Sequence, residues 1–421
     1  MGYVAAKGGT QAVLNAEQLL EYFRLKGESE PITVRQIQDQ MRLAVDRAMG
    51  EGALYAPELA ALALKQSEGD SLEASFLLRA YRSTVPRIDY SLPAEGVRMR
   101  IFRRISATFK DIPGGQLLGP TRDYQLKLLN TMLARESGQS MYSFLNQFEE
   151  GVRSTLSNRQ IELFPKVVEG MRAQGILAEP PEQEKAEKGS EPYDITRKAI
   201  SFPAPRSARL QVMAQGDVGS LQALAYSSVR GYGDIHPTLG ELRVGHLPVE
   251  VAHPLTGEPV AIGEILVTEC EMVSRVYAAG ENRQNGGAPP AVSIDLPKFG
   301  LGYGFCFGHS EVKVMSMSIL DRVLSAAKES GVHGQSGPAA DEEFVLLHVD
   351  GIESSGFTAH YKLPHYVSFQ SDISVLERAR DYQAARFAEA VEKRRRAAQL
   401  SESQRPAGTD PLSPYQEREA N

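Results

Sequence analysis

The chain of 421 residues has no tryptophan and only two cysteines, Cys270 and Cys306. The cysteines stand far apart, without a CxxC partner or metal-ligand spacing, so they read as buried, inert thiols in a reducing compartment. The absent tryptophan removes one aromatic stacking platform; Tyr232, Tyr303 or Phe305, each close to glycines, could take that part. No apolar run approaches the ~20 residues of a membrane span. The first ten residues, MGYVAAKGGT, lack the basic and apolar regions of a signal peptide, and Ala6 does not fit a myristoylation signal. Basic residues are not in excess either: 46 Lys and Arg face 53 Asp and Glu, a net charge of −7. That balance argues against nucleic acid or an anionic membrane as main partner. The expectation is a soluble cytoplasmic protein.

What is present is enough apolar sequence (42%) for a sizeable core, and length for two or three domains or one elaborate one. Residues 11–90 carry helical periodicity with start signals. Asn15 with Gln18 and Thr33 with Gln36 have capping-box spacing, Pro57 suits a first helical turn, and Asp70 with Glu73 caps the next run. Around 97–119 Val97, Met99 and Ile101 alternate with arginines, which predicts a strand, and Asp111-Ile-Pro-Gly-Gly115 is turn chemistry. Helical periodicity returns over about 121–175. Residues 178–193 are charged, Pro-containing and poor in apolar groups, which marks a linker or insertion. Beyond it, 207–230 reads as helix, 246–268 as a hairpin joined by PLTGEP, 299–308 as a glycine-interrupted strand and 310–328 as helix. Residues 342–355 fit helix or strand, and a charged helix runs from Asp372 to about Leu400. The expected fold is α+β. Its parts are a helical region over 1–177 with a hairpin near 97–119, a linker or insertion at 178–200, a mixed α/β region over 201–376, and a charged helix with a polar tail over 377–421.

Four constellations could carry chemistry. Lys7 with its following glycines, and Lys110 with Gly114 and Gly115, could present cations and backbone N–H groups to phosphate, although tight turns would need the same glycines. Arg206, Arg209 and Arg230, the last with Gly231 and Gly233, offer planar phosphate recognition; a helix start and a glycine turn with solvated arginines fit equally well. Glu269 and Glu271 would share a face at a strand end, and Asp341 with Glu342 opens an apolar stretch, where a helix cap is the plainer reading. Carboxylates of this kind can serve as a general base or place negative potential beside a developing positive charge. Last, His360 and His365 flank Leu363-Pro364. Proline forbids a continuous helical turn there, so the imidazoles converge only if the chain bends. Such a pair is half of an open metal site, or two histidines satisfied by backbone carbonyls.

The segment Gly356-Phe-Thr-Ala-His360-Tyr-Lys-Leu-Pro-His365-Tyr, the 110–120 block and the run Ala-Leu-Ala-Tyr-Ser ahead of Arg230-Gly-Tyr-Gly233 resemble the PhnI family, from about Tyr3 to about Leu376. The polar stretches 178–193 and 279–297 depart from it. The resemblance implies a core subunit of the bacterial carbon–phosphorus lyase system. It implies displacement of adenine from C1′ of ATP by an alkylphosphonate such as methylphosphonate, giving a ribose 1-alkylphosphonate 5-triphosphate. A lone subunit would be a nucleosidase on ATP or GTP, with Mg accompanying the nucleotide. It implies zinc at His360 and His365, at an interface with an iron–sulfur radical subunit, in a two-fold hetero-oligomer on which ATP-binding-cassette proteins dock. The competing reading is a non-catalytic scaffold that presents its metal-binding face to partners.

Overall fold

The computed structural model describes residues 9–155, 164–179, 193–230, 236–276, 298–329 and 337–403. Its N-terminal layer follows from the end signals. Helix α1 spans Gly9–Leu25, α2 Val34–Gln40, α3 Arg42–Gly52, α4 Pro57–Gln66 and α5 Ser71–Thr84. Thr33 and Gln36 close the capping box of α2, with Gln36 N donating to Thr33 Oγ1 at 3.1 Å. Pro57 begins α4, and Asp70 accepts from the N–H groups of Leu72 and Glu73. Asn15 is not a cap. It lies inside α1, where its side chain accepts from Gln11 instead. Alanines at 48, 60, 61, 63 and 74 let these helices approach closely around Val45, Met49, Leu64 and Leu78. Burying each of those leucines contributes about 1.5–3 kcal/mol.

Four strands form one antiparallel sheet in sequence order: β1 Arg100–Ile105, β2 Thr238–Ala252, β3 Pro259–Val276 and β4 Lys298–Phe307. The predicted hairpin at 246–268 is the outer part of the longer β2–β3 ladder. The segment 97–119 is not an ordinary hairpin: β1 pairs with β2, and the returning chain makes only a bridge from Arg104 to Leu117. Strand β1 precedes 178–200 and β2 follows it, so both sides of that segment build one sheet. Compact units are instead 18–356, and 1–17 with 357–421.

The glycine interruptions of β4 have a packing cause. Helix α10 (Glu311–Glu329) lies across this face of the sheet. A Cβ at Gly302 would sit 2.0 Å from the Ser318 carbonyl oxygen, and one at Gly304 would sit 2.1 Å from that of Val314. Only glycine permits this approach. Both cysteines are free and buried under the same helix, and burial pushes their thiols up to about 12 for Cys270 and about 11 for Cys306.

Further helices are α6 Gly138–Thr155, α7 Val167–Ala173, α8 Arg206–Gln215, α9 Val218–Arg230, α11 Glu342–His348, α12 Gly351–His360 and α13 Tyr366–Ser403. Among the described residues, the helical periodicity expected over 121–175 is realised in α6 and α7, with irregular chain and a short 3-10 turn between 121 and 137. The single helix expected over 207–230 breaks at Gly216-Asp217. The ambiguous stretch 342–355 is helical. In the smaller unit, α13 has no buried side chain among its described residues. No described helix is long and apolar enough to cross a membrane.

Candidate active site

The β2 and β3 registers pair Arg243 with Glu269, and Glu241 with Glu271; β4 adds Tyr303 opposite Glu271. Paired residues of an antiparallel ladder share a face, so charges from three strands converge. Lys166, which precedes α7, reaches both carboxylates: its Nζ lies 2.6 Å from Glu269 Oε1 and 3.0 Å from Glu271 Oε1. Arg243 Nη2 donates to Glu269 Oε2, and the Tyr303 hydroxyl donates to Glu269 Oε1 at 2.9 Å. Arg104 donates to Glu241, whose other oxygen accepts from the N–H of Val167 at 3.0 Å. Three cations thus face three buried carboxyls.

Their electrostatics diverge. Burial opposes ionisation of Glu269, but the Arg243 and Lys166 charges outweigh it and hold this carboxyl below its ordinary value. Glu271 lacks the arginine contact, and burial pushes it up to about 7, with the Lys166 charge opposing and the Glu269 charge assisting. Burial likewise raises the Tyr303 hydroxyl, beside Glu269, so the phenol stays protonated and donates. Two neighbouring carboxyls whose environments separate their proton affinities suit a division between acid and stabilising anion.

The cluster is not fully paired. Glu271 Oε2 and Arg243 Nη1 are buried without a hydrogen-bond partner among the described residues. Buried polar atoms are nearly always paired in folded proteins, so an acceptor and a donor left open in one cluster mark a place for a ligand or water. Beside it lies a cavity of about 320 Å³ lined by Gly96, Leu210, Gln211, Leu247, Tyr303 and Phe305, among others. Tyr303 and Gly96 belong to both. A Cβ at Gly96 would stand 2.9 Å from Glu269 Oε1 and 3.0 Å from Arg243 Nη2.

The other expected carboxylates lie elsewhere. Asp341 caps α11, accepting from Phe344 N at 3.0 Å, and Glu342 accepts from the N–H of Ala204 and faces Arg209 at 3.5 Å. Arg209 is fully buried, and Arg206 binds Asp321 at 2.6 Å. Arg230 is exposed and donates to the Tyr226 hydroxyl at 2.7 Å. In the 110–120 loop Lys110 is exposed, and Gly114 and Gly115 have φ of 81° and 75°. A Cβ at Gly114 would meet the Phe164 ring at 1.9 Å, and Arg104 ties the loop through the Pro113 carbonyl. Lys7, Gly231 and Gly233 lie outside the described residues, as does Tyr232.

His360 ends α12, and His365 immediately precedes α13. The bend at Leu363-Pro364 brings the ring centroids to 5.4 Å. Each Nδ1 faces a backbone carbonyl, that of Phe357 for His360 and that of Leu363, at 2.6 Å, for His365. With Nδ1 donating, Nε2 carries the lone pair, which is the tautomer of a metal ligand oriented by its carbonyl. Both rings are accessible, so the donor set suits a soft-to-borderline divalent metal such as zinc. Among the described residues no group of three His, Cys, Asp or Glu could hold a metal, so the pair fits half a site whose other ligands come from outside it.

Residues 2–383 match the family model described as bacterial phosphonate metabolism protein (PhnI). The chain belongs to the PhnI family. It is 50% identical over 384 residues to the putative C-P lyase subunit protein HtxH of Stutzerimonas stutzeri, covering 90% of this chain and 96% of that protein. It is 44% identical over 384 residues to the alpha-D-ribose 1-methylphosphonate 5-triphosphate synthase subunit PhnI of Escherichia coli K12, covering 90% and 99%. The protein of the same name from Rhizobium meliloti 1021 is 42% identical over 379 residues, covering 90% and 95%. PhnI family membership covers the sheet, the carboxylate cluster and the His pair, and stops within α13.

Sequence reasoning placed Glu269 and Glu271 on one face but missed Lys166, Arg243, Glu241 and Gly96. A signal for two of these was present: Glu241 and Arg243 alternate with Leu242 and Val244, a charged strand face opposite the acidic one. Nothing in the local sequence singles out Lys166 or Gly96.

Proposed function

We propose that this chain is a subunit of the carbon–phosphorus lyase system of phosphonate catabolism, and that its carboxylate cluster performs the glycosyl transfer. In this reading methylphosphonate displaces adenine from C1′ of ATP, giving ribose 1-methylphosphonate 5-triphosphate. The phosphonate oxygen bonds to C1′ as the bond to the base breaks, and the base leaves with the bonding pair. Glu271, pushed up to about 7 and so still partly protonated near neutral pH, supplies the proton that the base needs. Glu269, held ionised, faces the positive charge developing on the sugar. The adjoining apolar cavity takes the base, with Tyr303 and Phe305 in its wall. Water in place of the phosphonate gives nucleosidase activity on ATP or GTP. Mg accompanies the triphosphate, and zinc sits at His360 and His365, completed by the iron–sulfur radical subunit. Other core subunits and ATP-binding-cassette proteins complete a two-fold cytoplasmic assembly.

One observation carries the assignment to this cluster: Glu271 Oε2 and Arg243 Nη1 are buried and open beside a cavity whose wall reaches Glu269. The test incubates the purified chain with ATP and with GTP, with and without the other subunits and methylphosphonate, and follows free base and the ribose product. Glu269→Gln and Glu271→Gln should lower base release by about 100-fold, the scale of a general acid–base contribution. Asp341→Asn, which keeps its cap, should not. Full activity in both glutamine variants refutes the assignment.

A second reading, the non-catalytic scaffold, is favoured by a separate observation. Tyr124, Leu126, Leu129, Met132, Phe144 and Phe148 are all exposed, an apolar run that suits burial by other subunits. No base release under any condition, with zinc still bound by the assembled complex, supports that reading.

A further inference from the structure

A second cavity, of about 310 Å³, lies where the start of α3, the loop at 120–123 and the turn from β4 into α10 meet. Its walls include Arg42, Arg47, Arg122, Asp123, His309 and Glu311. The acids there are already engaged. Arg103, buried behind them, binds Glu311 at 2.6 Å and Asp123 at 2.5 Å. Arg47 is engaged too, with Glu51 at 2.9 Å and Asp217 at 2.7 Å.

That leaves two arginines over. Among the described residues Arg42 bonds His309, whose Nδ1 lies 3.2 Å from Nη1, and its charge also acts on the buried Asp46. Since His309 Nε2 faces Glu311 at 2.7 Å, the ring donates to Glu311 and accepts from Arg42. The imidazole thereby fixes the Arg42 guanidinium at the mouth without neutralising it. The Arg122 guanidinium has no bonded partner among the described residues, and its backbone is held by Lys127, which donates to the Arg122 carbonyl at 2.7 Å. The turn below is rigid: His309 N donates to Asp46 at 3.0 Å and Ser310 N to Thr268 at 3.0 Å. It leads into a helix of 19 residues, whose first N–H groups lack intrahelical acceptors and favour negative charge.

We propose that this cavity binds an anion of the phosphate class, with Arg42 and Arg122 as its charged ligands and His309 as the group that positions Arg42. Two guanidiniums that no carboxylate bonds among the described residues, set at one concavity, supply the forked donor geometry that phosphate and phosphonate oxygens accept. The ligand is either the polyphosphate tail of a nucleotide or a phosphonate, since both present the same oxygens. The site does not depend on the carboxylate cluster, because it is tested by binding and not by base release.

The experiment is calorimetric titration of the full chain with tripolyphosphate, inorganic phosphate and methylphosphonate. At least one should bind, and the anion bound tightest distinguishes a nucleotide tail from a phosphonate. Arg42→Gln combined with Arg122→Gln should weaken that binding at least tenfold. Arg35→Gln, an exposed arginine on α2, should leave it unchanged. Arg122→Gln alone, in an irregular loop, repeats the test should the double variant lose its fold, and should weaken binding about threefold. The proposal is overturned if no anion binds, if the Arg122→Gln variant and the double variant bind as the parent does, or if Arg35→Gln weakens binding as much.

Discussion

Replacing Glu271 by glutamine tests the electrostatics of the cluster without presupposing its chemistry. Burial lifts this carboxyl from an ordinary value of 4.5 to about 7. The folded state therefore holds a proton that the unfolded state has released over that interval. Where the folded state binds more protons, stability falls as pH rises. The span of about 2.5 pH units corresponds to about 3 kcal/mol, lost between about pH 5 and about pH 7 and not recovered above it. Glu271→Gln keeps the size and one acceptor but cannot ionise, so its stability should lack this fall. Urea unfolding of both proteins at intervals from about pH 5 to about pH 8 gives the two curves. Their difference cancels the titrating groups remote from Glu271, while the coupled Glu269, held below its ordinary value, stays ionised over this window and adds no slope there. The absolute offset between the curves carries no weight, because the variant also removes the negative charge that Lys166 faces at 3.0 Å. Parallel curves would refute the reasoning, since Glu271 would then titrate alike in both states.

Four further outcomes follow from packing and exposure. Gly302→Ala forces a Cβ to within 2.0 Å of the Ser318 carbonyl oxygen and should destabilise the chain by about 3 kcal/mol, at the upper end for overpacking, seen as a lowered thermal midpoint. Gly263→Ala on β3, where a Cβ meets nothing within 4 Å, should stay within about 0.5 kcal/mol of the parent in the same assay. Gly96→Ala pushes against Glu269 and Arg243 and should cost about 1–3 kcal/mol in the unfolding assay while abolishing base release. His360→Ala with His365→Ala should remove zinc from the assembled complex, measured by metal analysis, yet leave thermal stability within about 0.5 kcal/mol because His365 is exposed and His360 no more than half-buried; retained stoichiometric zinc would sink the ligand assignment.

The sequence by itself determined the local elements whose signals are local. Thr33 with Gln36, and Asp70, fix helix starts through bonds to N–H groups three residues away or less, and Pro57 does so through its ring-fixed φ, so a reader of the chain meets the whole signal in one window. Alternation located β3 and β4, and the shared face of Glu269 and Glu271 followed from the period of two. Proline at 364 dictated a bend between the histidines, and the turn between two helices supplied it. Asn15 shows the converse, a capping pattern overridden because the helix begins upstream.

Only the tertiary structure decided what each charge does. Lys166 lies 103 residues from Glu269, and whether it meets a carboxylate depends on where α7 lands on the sheet. Arg206 and Arg209 read as phosphate ligands in sequence, whereas in the fold they meet Asp321 and Glu342. The same uncertainty of partner left the glycines of β4 unexplained until α10 lay across them. Burial separates the two neighbouring glutamates for the same reason. A desolvation cost and a Coulomb attraction depend on distance in space, and residues two apart in the chain share neither their neighbours nor their exposure to water.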